Sequence, residues 1–427
     1  MFHKFMQFAS GSLRHVLVGS RTYYLWVGFL VCLIGLGVLG YIDQFNHGLV
    51  VTGMRDQVMW GFYIGNFTFL VGVAAAAVVL VIPAYVYHWG PIYEIAIIGE
   101  LLAISAIIMC VAFVSVDVGH VERVWHMFPF LGAINFPRSL LAWDVLVLNM
   151  YLVLNLVIAS HILYRAFHGK EPSKGFVVPL VLFSIPAAVS IHTVTAFLYS
   201  GLAGRPYWNA SILAPRFLAS AFCSGPAIIL ILLQILRKTS RLQIKDEAIW
   251  KIAELMAYAI AMNLFLLFCE VFKEYYSDTH HLTHTQYLFF GLDGHAGLGM
   301  YAWTSVISTV VAFVLFVVPA TRKNFFTMNV GCVLLYIGVY IEKGIGLVIP
   351  GLTPDTLGEI YAYAPTRHEI QIAAGVFGLG FLVFTLLIKV AIPVALGQLQ
   401  YRARTPPSSG IAPQDHVNSG VNQPQLG

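Results

Sequence analysis

An all-α integral membrane fold of ten transmembrane helices, arranged as two four-helix bundles flanked by a further span at each end, is predicted by three observations. Of 427 residues, 59% are hydrophobic and only 10% are charged, with a mean hydropathy of +0.79, a balance foreign to water-soluble domains. Ten apolar segments are each long enough to cross about 30 Å of hydrocarbon, for which about 20 residues of helix suffice. Two of these segments echo one another, which makes the middle of the chain a duplicated four-helix unit.

Taken in order, the spans are predicted near 24–41, 60–87, 95–117, 138–166, 176–199, 210–236, 247–275, 297–320, 325–348 and 366–396. The opening stretch "MFHKFMQFASGSLRHVLVGSRTYY" lacks the compact apolar core and small-residue cleavage site of a secretory signal, so the first span is expected to remain as an anchor. Residues 401–427, rich in Pro, Gly, Ser and Gln, read as a disordered tail. Most of the 24 Lys and Arg fall in segments on one side of the membrane, among them Lys4, Arg14, Arg21, Arg165, Lys170, Lys174, Arg237, Lys238, Arg322 and Lys323. Because short cytoplasmic loops retain positive charge, both termini are expected in the cytoplasm, and the tail with them. The net charge of +4 implies no nucleic acid. Cys32, Cys110, Cys223, Cys269 and Cys332 lie singly in apolar runs without ligand spacing, so neither an iron–sulfur cluster nor a disulfide framework is expected.

The repeat rests on "SLLAWDVLVLNMYLVL" at 139–154 and "GMYAWTSVISTVVAFVL" at 299–315, which place Trp143 and Trp303 at one depth. Each follows a span that begins with an acid, Glu100 or Glu254, and then a His-containing loop. A first bundle over 60–199 and a second over 210–348 follow, with spans one and ten outside them. The residue after the tryptophan is Asp144 in one copy and Thr304 in the other, so a site built on that acid exists once.

Ionisable groups at membrane depth cost at least about 2.5 kcal/mol each, and those retained usually line a site or a proton route. The stretch "SVDVGHVERVWHMFPF" at 115–130 packs Asp117, Arg123 and His126 at the outer end of span three. Asp144 and His192 fall in the outer thirds of spans four and five, and Tyr63 and Asn66 at the outer end of span two. Six groups, with Arg123 as a seventh that serves equally well as an interfacial partner of Asp117, thus point to one level of the first bundle. A quinone head group suits such a place: its two carbonyls take hydrogen bonds, its redox chemistry takes proton donors and acceptors, and its isoprenoid tail takes an apolar entry. His126 or His192 would bond a carbonyl, and Asp144 or Asp117 would exchange a proton. Glu100, Glu254 and Glu270 are candidate proton-pathway residues, while Glu342 and Lys343 read as local pairs at a helix end. The histidines His280, His281, His284 and His295 lack ligand spacing and read as a solvated or partner-contacting loop, with no metal site expected.

The segment "DVGHVERVWHM" resembles the D-L-G-R-P-x-R-x-W-H signature of the NrfD/PsrC (polysulfide reductase) membrane subunits. "SLLAWDVLVLNMYL" resembles their S-x-x-x-W-D-x-x-x-x-x-x-Y-L element. "VSIHTVTAFLYSGLAGRPYWNASILAPRFLASAFCSGPA" is similar to their H-T-x-T … W-x-x-x-I-x-x-P-x-F … S-G-x-A segment. The likeness covers roughly 60–395, and the ten-span subunits of DsrP, Hmc (HmcC), QrcD and alternative complex III assemblies look most alike. It implies a quinone-binding membrane subunit of a respiratory redox complex in a bacterial or archaeal cytoplasmic membrane. Electrons would pass between menaquinone, or another quinone, and a periplasmic four-cluster ferredoxin-like iron–sulfur subunit, with a multihaem cytochrome c or molybdopterin-type subunit beyond it. The resemblance implies no haem, flavin or iron–sulfur cluster in this chain and permits coupling to proton movement. Carried over by position it supports Asp117, His126 and Asp144, then His192. His120 and Val121 depart from the usual Arg and Pro, which leaves position 120 without an inherited role. Two other classes compete: a secondary transporter or ion translocator, kept open by Pro186 and Pro226, and a membrane cytochrome b, disfavoured because only His192 lies well inside a span.

Overall fold

The computed structural model describes residues 2–128, 131–279 and 281–401. Among the described residues, ten helices are long and apolar enough to cross a membrane: Arg21–His47, Phe62–Val86, Ala96–Asp117, Leu140–Phe167, Lys174–Ser200, Leu213–Thr239, Asp246–Ser277, Gly299–Val317, Phe325–Leu352 and Arg367–Ala395, here the first to tenth spans. Every predicted segment is helical. The first span outruns its predicted bounds at both ends, because hydropathy sees only its apolar middle. Ser20 caps it by accepting from the Tyr23 amide, and Gly48, at φ +77°, ends it. All of the predicted tail beyond Tyr401 lies outside the described residues.

Pro179, Pro186 and Pro226 sit inside continuous helices of the fifth and sixth spans. The irregular spans are others. The second winds wide over Ile82–Val86, where Pro83 supplies no amide proton. The ninth breaks at Gly344 (φ −86°, ψ −111°) and resumes as Ile345–Leu352.

Spans two, three, four and five pack in a ring, each on the next and the fifth back on the second; spans six to nine form a second ring in the same manner. The rings meet where the second span packs on the sixth and ninth and the fifth on the sixth. The tenth span lies on the third and fourth, and the first lies on the tenth. Small residues set the close approaches, as expected where no hydrophobic drive separates helix from lipid. A methyl on Gly37 of the first span would meet the Cα of Gly375 of the tenth at 2.6 Å, and one on Gly65 of the second would meet that of Gly344 at 3.2 Å. Both repeat tryptophans tie the start of their span to the preceding loop, Trp143 donating to the Pro137 carbonyl and Trp303 to that of Phe289. Asp144 is buried, whereas its counterpart Thr304 is exposed and bonds its own helix at Met300.

Candidate functional site

The fourth span begins at a Ser139 cap, which turns Trp143 outward and Asp144 into the first ring. Asp144 is only 1% exposed, and its Oδ1 accepts a 2.7 Å hydrogen bond from the Thr195 hydroxyl of the fifth span. One turn earlier on the same helix face sits His192, equally buried. Its Nδ1 lies 3.3 Å from the Ala188 carbonyl, while its Nε2 has no protein partner. Below Thr195 comes Tyr199, whose hydroxyl bonds Thr68 of the second span and which lies within electrostatic range of both Asp144 and Asp117. Trp60 and Trp208 close edge-on over the Tyr199 ring, with centroids 5.4 and 5.1 Å away. A groove of about 450 Å³, lined by Trp60, Gly201, Leu202, Arg205 and Trp208, opens beside this aromatic layer.

Asp117 ends the third span, with a buried Oδ1 that has no partner. Near it the tenth span contributes Glu369, fully buried, which accepts from the amides of Gly53 and Thr366 and from the Tyr363 hydroxyl. Tyr63 faces the same group: it donates to Gln44 at 2.7 Å, and Gln44 in turn donates to the Val116 carbonyl. Asn66 turns elsewhere, accepting from Tyr340 of the ninth span at 2.7 Å, in the seam between the rings. His126 and Arg123 ride on a short 3₁₀ helix, Val121–Met127, and are exposed, His126 lying edge-on against Trp125. The nearby Glu122 is held below the ordinary carboxylate range by its backbone amide and by His120, 2.7 Å away.

Of the sequence-predicted residues, Asp144, His192, Asp117 and Tyr63 therefore approach one level, Asn66 lines the seam, and His126 and Arg123 stand outside it. Glu100 is buried near Tyr85 and Tyr151 with one oxygen unpartnered. Glu254 pairs with Lys251 of its own helix at 3.1 Å. Thr195, Tyr199, Gln44, Tyr363 and Glu369 were not singled out. Two carried a signal, for Thr195 stands three residues after His192, and Thr366 to Glu369 reads as a capping box, which the structure contains.

The second ring holds a group larger than sequence reasoning expected. Glu342 and Lys343, read as local helix-end pairs, join an interhelical network just before the break at Gly344. Arg216 of the sixth span bonds Glu342 at 2.7 Å and pairs with Glu270 of the seventh; Asn263 donates to Glu342 at 3.1 Å, and Lys343 lies 3.2 Å from it. Two cations and two anions balance. A cavity of about 50 Å³ adjoins them, lined also by Tyr207, Glu274, Thr285 and Ser305. The helix does end there, at Lys343, and the local Glu342–Lys343 pair is present; what the sequence does not record is that Arg216, Glu270 and Asn263 of two other spans reach the same point.

The histidine loop is not uniformly solvated either. His284 is buried, its Nδ1 2.7 Å from the Pro350 carbonyl, and burial pulls its pKa below the ordinary 6.5. His280 lies outside the described residues, among which no cluster of three potential metal ligands occurs.

Residues 50–354 match the family model described as polysulphide reductase, NrfD. A Halobacterium salinarum protein named as a dimethyl sulfoxide reductase membrane subunit is 25% identical, over 84% of this chain and 88% of its own length. A selenate reductase subunit of Mesobacillus selenatarsenatis is 22% identical, over 88% of this chain and 94% of its own. The Hdr-like menaquinol oxidoreductase integral membrane subunit of Archaeoglobus fulgidus is likewise 22% identical, over 87% and 93%.

Proposed function

The chain belongs to the polysulphide reductase, NrfD family, and from that premise we propose that it is the quinone-binding membrane subunit of a redox complex. In this reading it exchanges electrons between menaquinone or menaquinol and an iron–sulfur partner docked at the Asp117 end. The observation that carries the reading is the pair Asp144 and His192: a buried carboxylate held by one neutral hydroxyl, that of Thr195, and, one turn along the helix from Thr195, a buried imidazole nitrogen with no partner. That donor set fits a quinone head group, which supplies two-electron chemistry coupled to two protons when bound. His192 Nε2 would orient one carbonyl, Asp144 would hold or release a proton, and Asp117, with its unpartnered Oδ1, would serve the second. Trp60, Trp208 and Tyr199 would keep water from the acids. His126 and Arg123 suit contact with the partner better than with the quinone, because both are exposed.

The finer assignments rest on separate supports. The A. fulgidus relative's name joins menaquinol to a membrane subunit of this family. The two closed rings favour a duplicated unit, first bundle 60–199 and second 210–348. Lysine and arginine placement favours a cytoplasmic membrane with both termini inside, and hence a periplasmic four-cluster ferredoxin-like partner, followed by a cytochrome c or molybdopterin-type subunit. Glu100, buried with a free oxygen, is the best-placed proton-entry residue, although 17 residues of helix, about 25 Å, separate it from Asp117 and require bridging water. A second reading, an ion translocator without a redox role, is favoured by the charge cluster at the broken ninth span. Ion movement in vesicles free of quinone would support that one instead.

The test is titration of the full-length protein with a fluorescent menaquinol analogue. One-to-one saturable quenching is expected, weakened about ten- to a hundredfold in Asp144→Asn and His192→Ala, as for loss of a hydrogen bond to a charged group. His126→Ala should bind normally and lose activity only in the assembled complex. Undiminished quenching in both buried-site variants, with folding verified by thermal melting, would sink the assignment.

A further inference from the structure

An amphipathic helix that packs on a protein in water turns its apolar stripe inward. The N-terminal helix Phe2–Leu17 does the reverse. Phe5, Met6, Leu13 and Leu17, which share one face at helical spacing, are 54%, 47%, 58% and 62% exposed. The opposite side carries the protein contacts. Phe8 packs edge-on against Tyr164 and Phe167 at the end of the fourth span, and Gly11 sits close against Leu399 beyond the tenth. At the C-terminal end, Tyr23 and Tyr24 donate to the carbonyls of Val16 and Leu17, and Lys389 donates to that of Val18. The helix therefore crosses the terminal end of the bundle, from the fourth span past the tenth to the first, with its packed residues Phe8 and Gly11 on the side away from the stripe. Its apolar stripe is held outward by contacts that leave it little freedom to roll.

Charge identifies what covers that stripe. Lys4, Arg14 and Arg21 are exposed cations at this end, and the first acid in the chain is Asp43. Arg14 has no hydrogen-bond or ion-pair partner among the described residues. The stripe is also continuous with the lipid-facing side of the first span, where Tyr24, Leu25, Trp26 and Phe29 are exposed. A basic rim without an acid beside an apolar face, in which Lys4 meets only the Tyr401 ring, 5.2 Å away, adjoins hydrocarbon-facing residues and matches the boundary between anionic headgroups and acyl chains.

We propose that Phe2–Leu17 is an interfacial arm that seats Phe5, Met6, Leu13 and Leu17 in the bilayer surface and holds anionic phospholipid through Lys4 and Arg14. The arm lies at the end of the molecule opposite the acids, so the inference is independent of the quinone reading.

The test places an environment-sensitive fluorophore on Leu13→Cys in the full chain, with the two accessible thiols removed by Cys32→Ser and Cys269→Ser. The protein is reconstituted in vesicles of phosphatidylcholine with phosphatidylglycerol. Lipids carrying a nitroxide near the glycerol should quench the label more than lipids labelled at the chain end, and aqueous iodide should quench it several-fold less than the same label on the exposed loop position Lys323→Cys. Omitting phosphatidylglycerol should raise iodide access, by about fivefold in seating per cation engaged, and Lys4→Gln with Arg14→Gln should abolish that dependence. Full iodide access without lipid quenching overturns the seating; shielding from iodide without lipid quenching does so too, pointing to a protein partner or second copy over the stripe. Lipid quenching indifferent to phosphatidylglycerol overturns the anionic-lipid half.

Discussion

In the first ring Asp144 faces a single neutral hydroxyl, whereas in the second Glu342 is gripped by Arg216, Lys343 and Asn263. Both carboxylates sit inside spans, so both bear the desolvation of a membrane interior, and they meet it differently. The second ring cancels charge with charge, which fixes four side chains and three helices relative to one another. The first leaves its acid and its imidazole short of partners, which suits groups that must bind something else. Two rings with the same order of helix contacts thus treat a buried acid in different ways: one leaves Asp144 open to a further partner, the other neutralises Glu342 on the spot.

This contrast is open to a direct stability test. Removing one partner from a compensated buried cluster strands the others, so Arg216→Ala should lower stability by about 3–5 kcal/mol. Asp144→Asn, which keeps an acceptor for Thr195, should change it by less than about 1 kcal/mol or raise it. Thermal unfolding of both purified variants in one detergent decides; equal losses would mean the rings bury charge alike. Next in size, a double-mutant cycle between Arg216 and Glu342 should yield a coupling of about 1–3 kcal/mol, while Asp144 paired with Arg216 across the rings should give none.

The seam between the rings can be strained alone. Gly65→Val adds bulk where a Cβ would meet the Gly344 Cα at 3.2 Å, and should cost about 1–3 kcal/mol. Because the ninth span breaks at Gly344, that variant should also disturb the Glu342 cluster, read as a smaller Arg216–Glu342 coupling in its background. An unchanged coupling would show that the break and the cluster are mechanically separate.

The smallest effect concerns pH. His284 has a folded pKa below its unfolded 6.5, so the unfolded chain takes up the proton first. Its contribution is therefore intact above about pH 6.5 and is lost as pH falls towards the folded pKa. Wild-type melting temperature should drop between pH 7.5 and 5.5, and His284→Gln, which keeps a donor for the Pro350 carbonyl, should flatten that slope. An equal slope in the variant would assign it to other groups.

Much of this molecule could be read along the chain, and the errors share a pattern. All ten spans were legible because hydrocarbon length and composition set them, independent of neighbours. Asp144 stood out for the same reason, being an acid at membrane depth with no nearby base on its helix. His126 was read at the outer end of the third span and stands just beyond it; what nothing local records is that the chain leaves that span as a 3₁₀ turn which exposes the side chain. Asn66 was grouped with the polar residues of the first ring, and its bond to Tyr340 of the ninth span went unread, since a helix that is buried all round gives no sign of which side faces which ring.

What the sequence by itself determined is therefore the existence and order of the ten spanning helices and the approximate depth of the polar groups within them, because a bilayer imposes those on every span separately. Only the tertiary structure decided which groups meet: that Thr195 and not an arginine answers Asp144, that Glu342 reaches Arg216 on another helix, and that Glu369 closes on Gly53 across the chain. Those pairings depend on helix rotation and on close approaches at single glycines, and in a chain apolar on nearly every face no sequence period fixes them.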